Sequence, residues 1–284
     1  MRNIFSYWKE SRIRRKARRI TQEYPARIEK LHIENIGDIE FANWSNPLVS
    51  HLKQLTISSS IIGFYKQFIK EGDLAIDIGA NIGDTTVPIA LCTGASGLTI
   101  GFEPGPYIYK ILQKNATLNL DKSKIVALPY AISDVEDEFF YISSEASFSN
   151  GGISKTKESK HGKFVHPEKI KGVNLKSFLE ENYSQWLSKL TFIKIDTEGY
   201  DKEILKSIAD LISKYKPVIV AECFGGLSDE EKMELYEIIE KQGYDIHYVY
   251  EHELNAKVIK LETKKDITKW NETINIYALP KKLK

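Results

Sequence analysis

The sequence is poor in thiols. Two cysteines, Cys92 and Cys223, in 284 residues exclude a disulfide scaffold and a Cys-rich zinc module. Thiols this sparse suit a reducing cytoplasm, which is the expected location. No apolar run approaches the roughly 18–20 residues that span a bilayer, and the basic N-terminus lacks the apolar segment of a secretory signal. The six histidines show no H-E-x-x-H or other metal-ligand spacing, no G-x-S-x-G elbow is present, and no metal is expected. An excess of one charge is missing too, with 40 Lys+Arg against 39 Asp+Glu and a formal net charge of +1. That balance conceals an asymmetry. Residues 1–20 carry eight basic side chains (Arg2, Lys9, Arg12, Arg14, Arg15, Lys16, Arg18, Arg19) and one acid, Glu10, a net +7 that leaves −6 for the rest. A mildly acidic body excludes a general nucleic-acid-binding surface.

What is present is the composition of an ordinary globular chain, 42 % hydrophobic and 28 % charged. Its length suits one or two domains of about 100–200 residues. Residues 4–20 read as a basic helix in which Ile4, Phe5, Trp8 and Ile20 interrupt the arginines. The short apolar face and the spread of basic residues around it favour a solvated leader over a membrane-surface helix. A weak membrane-surface contact through residues 1–20 is the competing expectation. Residues 27–43 alternate around Gly37-Asp38 and read as a β-hairpin, and a helix follows from Ser58 to Lys70, closed by Gly72. These features set an N-terminal extension, residues 1–56, ahead of a domain over residues 57–284.

From Leu74 onward, strands alternate with helices. Strands are expected at 74–78, 98–102, 125–131, 190–195 and 217–221, with helices after the first loop and over 107–119, 178–187, 202–214 and 229–242. That rhythm predicts an α/β fold with a doubly wound, mostly parallel sheet. Residues 244–250 and 273–279 lack a strong intervening helix and read as an antiparallel C-terminal pair closing one edge. Residues 143–169 hold almost no apolar residues, and a loop this long is a candidate lid over the mouth of the sheet.

Ligands of such sheets bind beyond the carboxyl ends of the strands. The first strand runs into Asp77-Ile78-Gly79-Ala80-Asn81-Ile82-Gly83-Asp84-Thr85-Thr86. Asp77 is a carboxylate within an apolar strand and needs a partner there. Gly79 and Gly83 allow a tight turn and close approach of backbone to ligand. A dinucleotide fingerprint would require glycine at Asn81 and Asp84, and a P-loop would require Gly-Lys-Ser/Thr at 83–85, so both are excluded. Glu103, 26 residues after Asp77, ends the second strand, where an acid can accept hydrogen bonds from both hydroxyls of a ribose. On the fourth strand, Lys194 and Asp196 share one face and read as an ion pair, with Glu198 following at the carboxyl end. These acids suit orienting a hydroxyl, removing its proton or binding a cation. Glu222 ends the fifth strand at the same mouth.

Five segments in order resemble the FkbM family of S-adenosylmethionine-dependent methyltransferases: AIDIGANIGDTT (75–86), GFEP (101–104), LPYAISD (128–134), FIKIDTEGYDKEIL (192–205) and PVIVAE (217–222). The resemblance covers roughly residues 57–225 and implies a Rossmann-like class I methyltransferase. It implies that Asp77, Gly79, Asn81 and Gly83 surround the methionine part of S-adenosyl-L-methionine. Glu103 would hold the ribose, and Ile132 and Ser133 would lie by the adenine. Asp196, Glu198 and Gly199 match the family's K-I-D-x-E-G signature and would border the transfer site. The implied acceptors are hydroxyls of saccharides or glycosylated metabolites.

The sulfonium methyl is already electrophilic, so the protein mainly aligns an oxygen behind it, with a base assisting. Asp196 or Glu198 is the first choice for that base and His166, in the polar segment near His161, the second. Two alternatives compete. A glycosyltransferase would use Asp196 and Glu198 as a metal and nucleotide-sugar motif, leaving Gly79 and Glu103 without a task. A non-catalytic binding module would need a degenerate cofactor loop, which Asp77, Gly79, Gly83 and Glu103 argue against.

Overall fold

The computed structural model describes residues 4–49, 57–159, 161–197 and 199–281. Helix α1 (Ile4–Arg19) precedes a hairpin of β1 (Ala26–Ile33) and β2 (Gly37–Trp44). The reversal lies at Glu34-Asn35-Ile36, earlier than expected. Gly37 pairs with Ile33 as the first residue of β2, and Asn35 takes the left-handed conformation that Asn tolerates in turns. Two asparagines pin the hairpin to the body by imitating a strand partner. Asn115 accepts from the Ala42 N–H at 2.7 Å and donates to the Ala42 carbonyl at 2.9 Å, and Asn119 treats Glu40 the same way, 2.8 Å for each bond.

Helix α2 (Ser59–Lys66) is capped by the Ser58 hydroxyl, which accepts from the Ile61 N–H. Then come β3 (Leu74–Ile78), α3 (Thr86–Thr93), β4 (Leu98–Phe102), α4 (Ile108–Asn115) and β5 (Ile125–Leu128). Four strands follow: β6 (Ala131–Ile132), β7 (Asp137–Ser143), β8 (Gly151–Ser154) and β9 (Phe164–Val173). They form a separate sheet in the order β6-β9-β7-β8. Much of residues 143–169, expected as a lid loop, is therefore strand. Pairing with β7 satisfies its backbone, and Phe148 is buried among Tyr107, Tyr141 and His166, so a few aromatic contacts hold a segment of polar composition.

Helix α5 (Leu175–Asn182) and a 3₁₀ turn (Ser184–Lys189) lead into β10 (Leu190–Ile195). The single helix expected over 202–214 is two, α6 (Asp201–Ser207) and α7 (Ala209–Tyr215), separated at the fully buried Ile208, which leaves helical geometry. The chain continues through β11 (Val218–Cys223), α8 (Asp229–Lys241), β12 (Tyr244–Val249), β13 (Val258–Leu261) and β14 (Ile274–Pro280).

The main sheet has the order β13-β12-β14-β11-β10-β3-β4-β5, and β11 through β5 are parallel neighbours, the doubly wound sheet expected. The C-terminal strands β12 and β14 are antiparallel as expected, yet β14 inserts between β11 and β12 and β13 forms the edge. Three of the four β13 residues are exposed, so it carries no apolar alternation to read. Alternation decides what each sheet face meets. Ile76, Ile78, Ile193 and Ile195 pack under α5 to α8, whereas Ala75, Phe192 and Val220 face α2 and α3. Asp77 and Lys194, paired in register, lie on the second face. Strand order reverses between β3 and β10, which places a binding crevice beyond their carboxyl ends.

Candidate active site

A cavity of about 710 Å³ opens at that reversal, within the range of small-molecule sites. Its floor comes from the ends of β3, β4 and β10, with Gly79, Asn81, Glu103, Lys194, Asp196 and Gly199 on its lining. Tyr130, Ala131 and Ile132 add an apolar wall, β7 and β8 with their connection another, and Leu48 and Val49 reach it from the N-terminal extension.

The first loop is clamped to the fourth strand of the doubly wound series. Gly79 has φ +76°, and a Cβ there would stand 1.8 Å from the carbonyl oxygen of Asp196. Only glycine permits that approach. The Asp196 N–H donates to the Ile78 carbonyl at 3.0 Å, locking the two strand ends together. Asp77, fully buried, faces the helix layer rather than the cavity. Its Oδ2 accepts from the Thr85 hydroxyl at 2.9 Å and the Thr86 hydroxyl at 2.7 Å, and its Oδ1 lies 3.4 Å from the Lys194 ammonium. The partner that this carboxylate needed is thus two hydroxyls and a lysine. Gly83, φ +97°, turns the chain against Leu112 and Asn115 and does not line the cavity.

Lys194 is the hinge of the charge arrangement. Its Nζ stands 3.1 Å from Asp196 Oδ2 while also facing Asp77. Burial alone would lower its pKa, but the carboxylates of Asp196 and Asp77 together outweigh that and hold the ammonium well above its ordinary value. The Asp196 side chain is 41 % exposed, so this pair presents one carboxylate to the cavity and keeps the other inside. Glu198 lies outside the described residues.

Glu103 is buried and accepts two backbone N–H groups, from Gly105 at 2.6 Å on Oε1 and from Asn81 at 2.9 Å on Oε2. Burial pushes its carboxyl up to about 7; the two amide bonds oppose the shift and the Asp77 and Asp196 charges add to it. Asn81 holds its left-handed turn, φ +46°, with its own Oδ1 accepting from the Ile82 N–H at 2.8 Å. Ile132 lines the cavity, whereas Ser133 stands behind it, donating to Asp134 at 3.2 Å and giving its N–H to the Val173 carbonyl.

His166 is not on a mobile loop. It sits on β9, buried edge-on against Tyr107 and Phe148 with its Nδ1 3.1 Å from the Glu168 carbonyl, and it is not among the residues that line the cavity, contrary to the expected swing over the site. Its neighbour in the sequence reading, His161, does line the cavity. Glu222, on β11, does not.

Several site residues escaped the sequence reading. Asp84 lines the cavity within the first motif, and burial pushes it up to about 6 against the pull of Lys194. Asp201 shapes the turn after β10, its Oδ2 accepting from the Thr197 hydroxyl at 3.0 Å and the Gly199 N–H at 3.3 Å, with burial raising it to about 6. Tyr141 and Tyr200 add aromatic lining. Asp84 and Asp201 are acids inside the first and fourth motifs. The tyrosines carried no signal beyond their type.

Residues 77–246 match the model of the methyltransferase FkbM domain. Among curated proteins no match is found. Among solved structures, the chain is similar to methyltransferase FkbM from Methylobacillus flagellatus KT, at 15 % identity over 76 % of this chain and with a TM-score of 0.45. The chain spans half the length of that protein. It is also similar to a SAM-dependent O-methyltransferase from Thermotoga maritima, at 10 % identity over 90 % of this chain and 78 % of the other, TM-score 0.41. A third similar structure is P. horikoshii TYW2 in complex with MeSAdo, at 14 % identity over 89 % of this chain and 71 % of the other, TM-score 0.37.

Proposed function

The chain belongs to the methyltransferase FkbM family, and from that premise we propose that it transfers the methyl group of S-adenosyl-L-methionine to a hydroxyl of a saccharide or glycosylated metabolite. The methyltransferase unit in this reading is residues 57–284, with residues 1–56 an extension that supplies Leu48 and Val49 to the rim. The observation that supports it most is the placement of Glu103 and Asp196 on the wall of one cavity, at the reversal of strand order.

The residues present fit the cofactor. Each Glu103 oxygen accepts one amide, and a carboxylate oxygen has two acceptor sites, so one on each oxygen is left for the paired hydroxyls of a ribose. The apolar wall of Tyr130, Ala131 and Ile132 suits a flat purine, and the carboxylates of Asp84 and Asp196 suit the positive end of the molecule. When bound, the cofactor supplies the electrophilic methyl group. The chain's own task is then to orient the acceptor. Asp196, held by Lys194 and by the clamp at Gly79, would accept a hydrogen bond from the incoming hydroxyl, orient its lone pair toward the methyl and take up its proton as the oxygen–methyl bond forms and the methyl–sulfur bond breaks. Glu198 is kept as a second carboxylate for that role. The glycosyltransferase alternative leaves Glu103 and the Gly79 clamp without a task.

A cytoplasmic location belongs to the same reading. The support for it is that Cys92 and Cys223 are both buried free thiols. Among the described residues no helix is long and apolar enough to cross a membrane.

Calorimetric titration of the protein with S-adenosylmethionine, and separately with UDP-glucose and manganese, tests the cofactor half. Binding of the first alone is expected, and binding of the second alone overturns the reading. Incubation with methyl-labelled cofactor and a glycan extract tests the acceptor half, with label in an alkali-stable ether of a sugar as the expected product.

A further inference from the structure

We propose that the outer face of α1 docks the protein on an anionic phospholipid bilayer. The sequence pattern alone favoured a solvated leader; the structure adds how the helix is held and what it leaves outside. Ala17 is fully buried and Ser11 and Arg14 are half-buried, so one narrow stripe packs inward. The Arg18 carbonyl accepts from the Ala146 N–H at 3.1 Å, and the Arg18 guanidinium stands 3.8 Å from Glu145. Glu145 itself lines the cavity. The helix is therefore fixed at its C-terminal end to the cavity rim.

The opposite face repeats at helical spacing: Trp8, Arg12, Lys16 and Arg19, with Arg15 beside them, all exposed. Trp8 is 68 % exposed, and Ile13 and Ile20, at 43 % and 50 %, flank the row. Among the described residues none forms an ion pair with Arg12, Arg15, Lys16 or Arg19. A row of unpaired cations around an exposed Trp and two exposed Ile has the chemistry of an interfacial helix, whose cations meet lipid phosphates while Trp and Ile enter the headgroup layer. The rest of the chain carries −6, so an anionic surface repels the body and attracts the helix. That asymmetry selects one orientation, with the rim beside α1 toward the bilayer. The proposal does not depend on which hydroxyl the cavity methylates.

The test is co-sedimentation of the full chain with vesicles of phosphatidylcholine alone or of phosphatidylcholine with phosphatidylserine. Partitioning onto the anionic vesicles is expected to be at least ~10-fold stronger at low salt and to fall as added salt shortens the screening length from ~30 Å toward ~3 Å. The exposed quadruple variant R12E/R15E/K16E/R19E is expected to lose that preference while keeping the circular dichroism spectrum and melting temperature of the parent. W8A is expected to weaken partitioning at high salt more than at low salt, because the apolar contact is not screened. Equal partitioning on both vesicle types overturns the proposal. So does a quadruple variant that still prefers phosphatidylserine. A parallel titration with single-stranded RNA guards the assignment: RNA binding that the quadruple variant abolishes, with vesicle binding absent, assigns the face to nucleic acid instead.

Discussion

Replacing Gly79 by alanine isolates the contact that joins the two signature motifs. An alanine at φ +76° suffers the left-handed penalty of any L residue, about 1–2 kcal/mol. Its Cβ also falls 1.8 Å from a backbone carbonyl, that of Asp196, and no side-chain rotation relieves such a contact. The ends of β3 and β10 must part, which breaks the 3.0 Å bond from the Asp196 N–H to the Ile78 carbonyl, a net loss of about 0.5–1.5 kcal/mol. Overpacking of the strand ends adds about 1–3 kcal/mol. The expected destabilisation is therefore about 3–6 kcal/mol. Gly37→Ala is the control, because Gly37 has φ +89° and nothing within 4 Å of a built Cβ, so it carries the conformational penalty alone. Urea unfolding followed by circular dichroism measures both. At about 2 °C per kcal/mol for a chain of this size, melting should drop by roughly 6–12 °C for G79A and 2–4 °C for G37A. Equal losses in the two variants, within about 0.5 kcal/mol, would refute the clamp.

Four further outcomes are expected. Glu103→Ala should weaken S-adenosylmethionine binding by about 10–100-fold in calorimetry, the worth of hydrogen bonds to a charged acceptor; an unchanged affinity removes Glu103 from the site. Glu103 also predicts a pH dependence. Its folded-state carboxyl lies at about 7 against an ordinary 4.5, so its contribution to stability is complete below 4.5 and is lost, by up to about 3 kcal/mol, as pH rises through 7. In the cofactor-free protein, Glu103→Gln should flatten the unfolding free energy over that window, and a curve of unaltered slope would place the proton elsewhere. Asp196→Asn should lower turnover by about 10²–10⁴-fold while leaving cofactor affinity within a factor of a few, and full activity would move the base to another group. Lys194→Met should cost about 3–5 kcal/mol by leaving Asp77 buried and uncompensated, with part of the loss regained in the double variant with Asp77→Asn; a destabilisation that the second substitution does not relieve would argue against the pair.

Regular alternation made the parallel sheet legible, because each of β3, β4, β10 and β11 is a short apolar run bounded by a turn or helix. The insertion was not legible for the opposite reason. Its strands β8 and β9 are only partly buried, and the residues that hold it, Phe148 and His166, sit among serines, lysines and glycines. His166 illustrates the limit most clearly. A histidine in a polar segment reads as exposed or catalytic, and its actual environment is two aromatic rings contributed by Tyr107 and by Phe148, 18 residues away on the chain. The hairpin was readable from its alternation, but its attachment was not, since the amides of Asn115 and Asn119 serve as a strand partner only once α4 is placed beside β2.

Asp77 shows what the geometry changes about the site itself. As a residue of the first motif it invites a direct role beside the cofactor. In the fold it is the register partner of Lys194, wholly buried, and its two oxygens are committed to Thr85, Thr86 and that lysine. Lys194 in turn reaches Asp196, the carboxylate of the trio that meets the cavity. On the proposed reading, a change at Asp77 would therefore act on the acceptor side through the position and charge of Lys194, and on the cofactor side through the Thr85–Thr86 start of α3. The first and fourth motifs, about 120 residues apart in the chain, are one physical unit: the glycine that lets the strand ends meet, the carbonyl it meets, and the lysine that shares its charge between a buried acid and an exposed one. The separation of effects expected for Gly79, Lys194 and Asp196 follows from that unit, since the first governs the approach of the strands, the second the balance of charge and the third the carboxylate that faces the cavity.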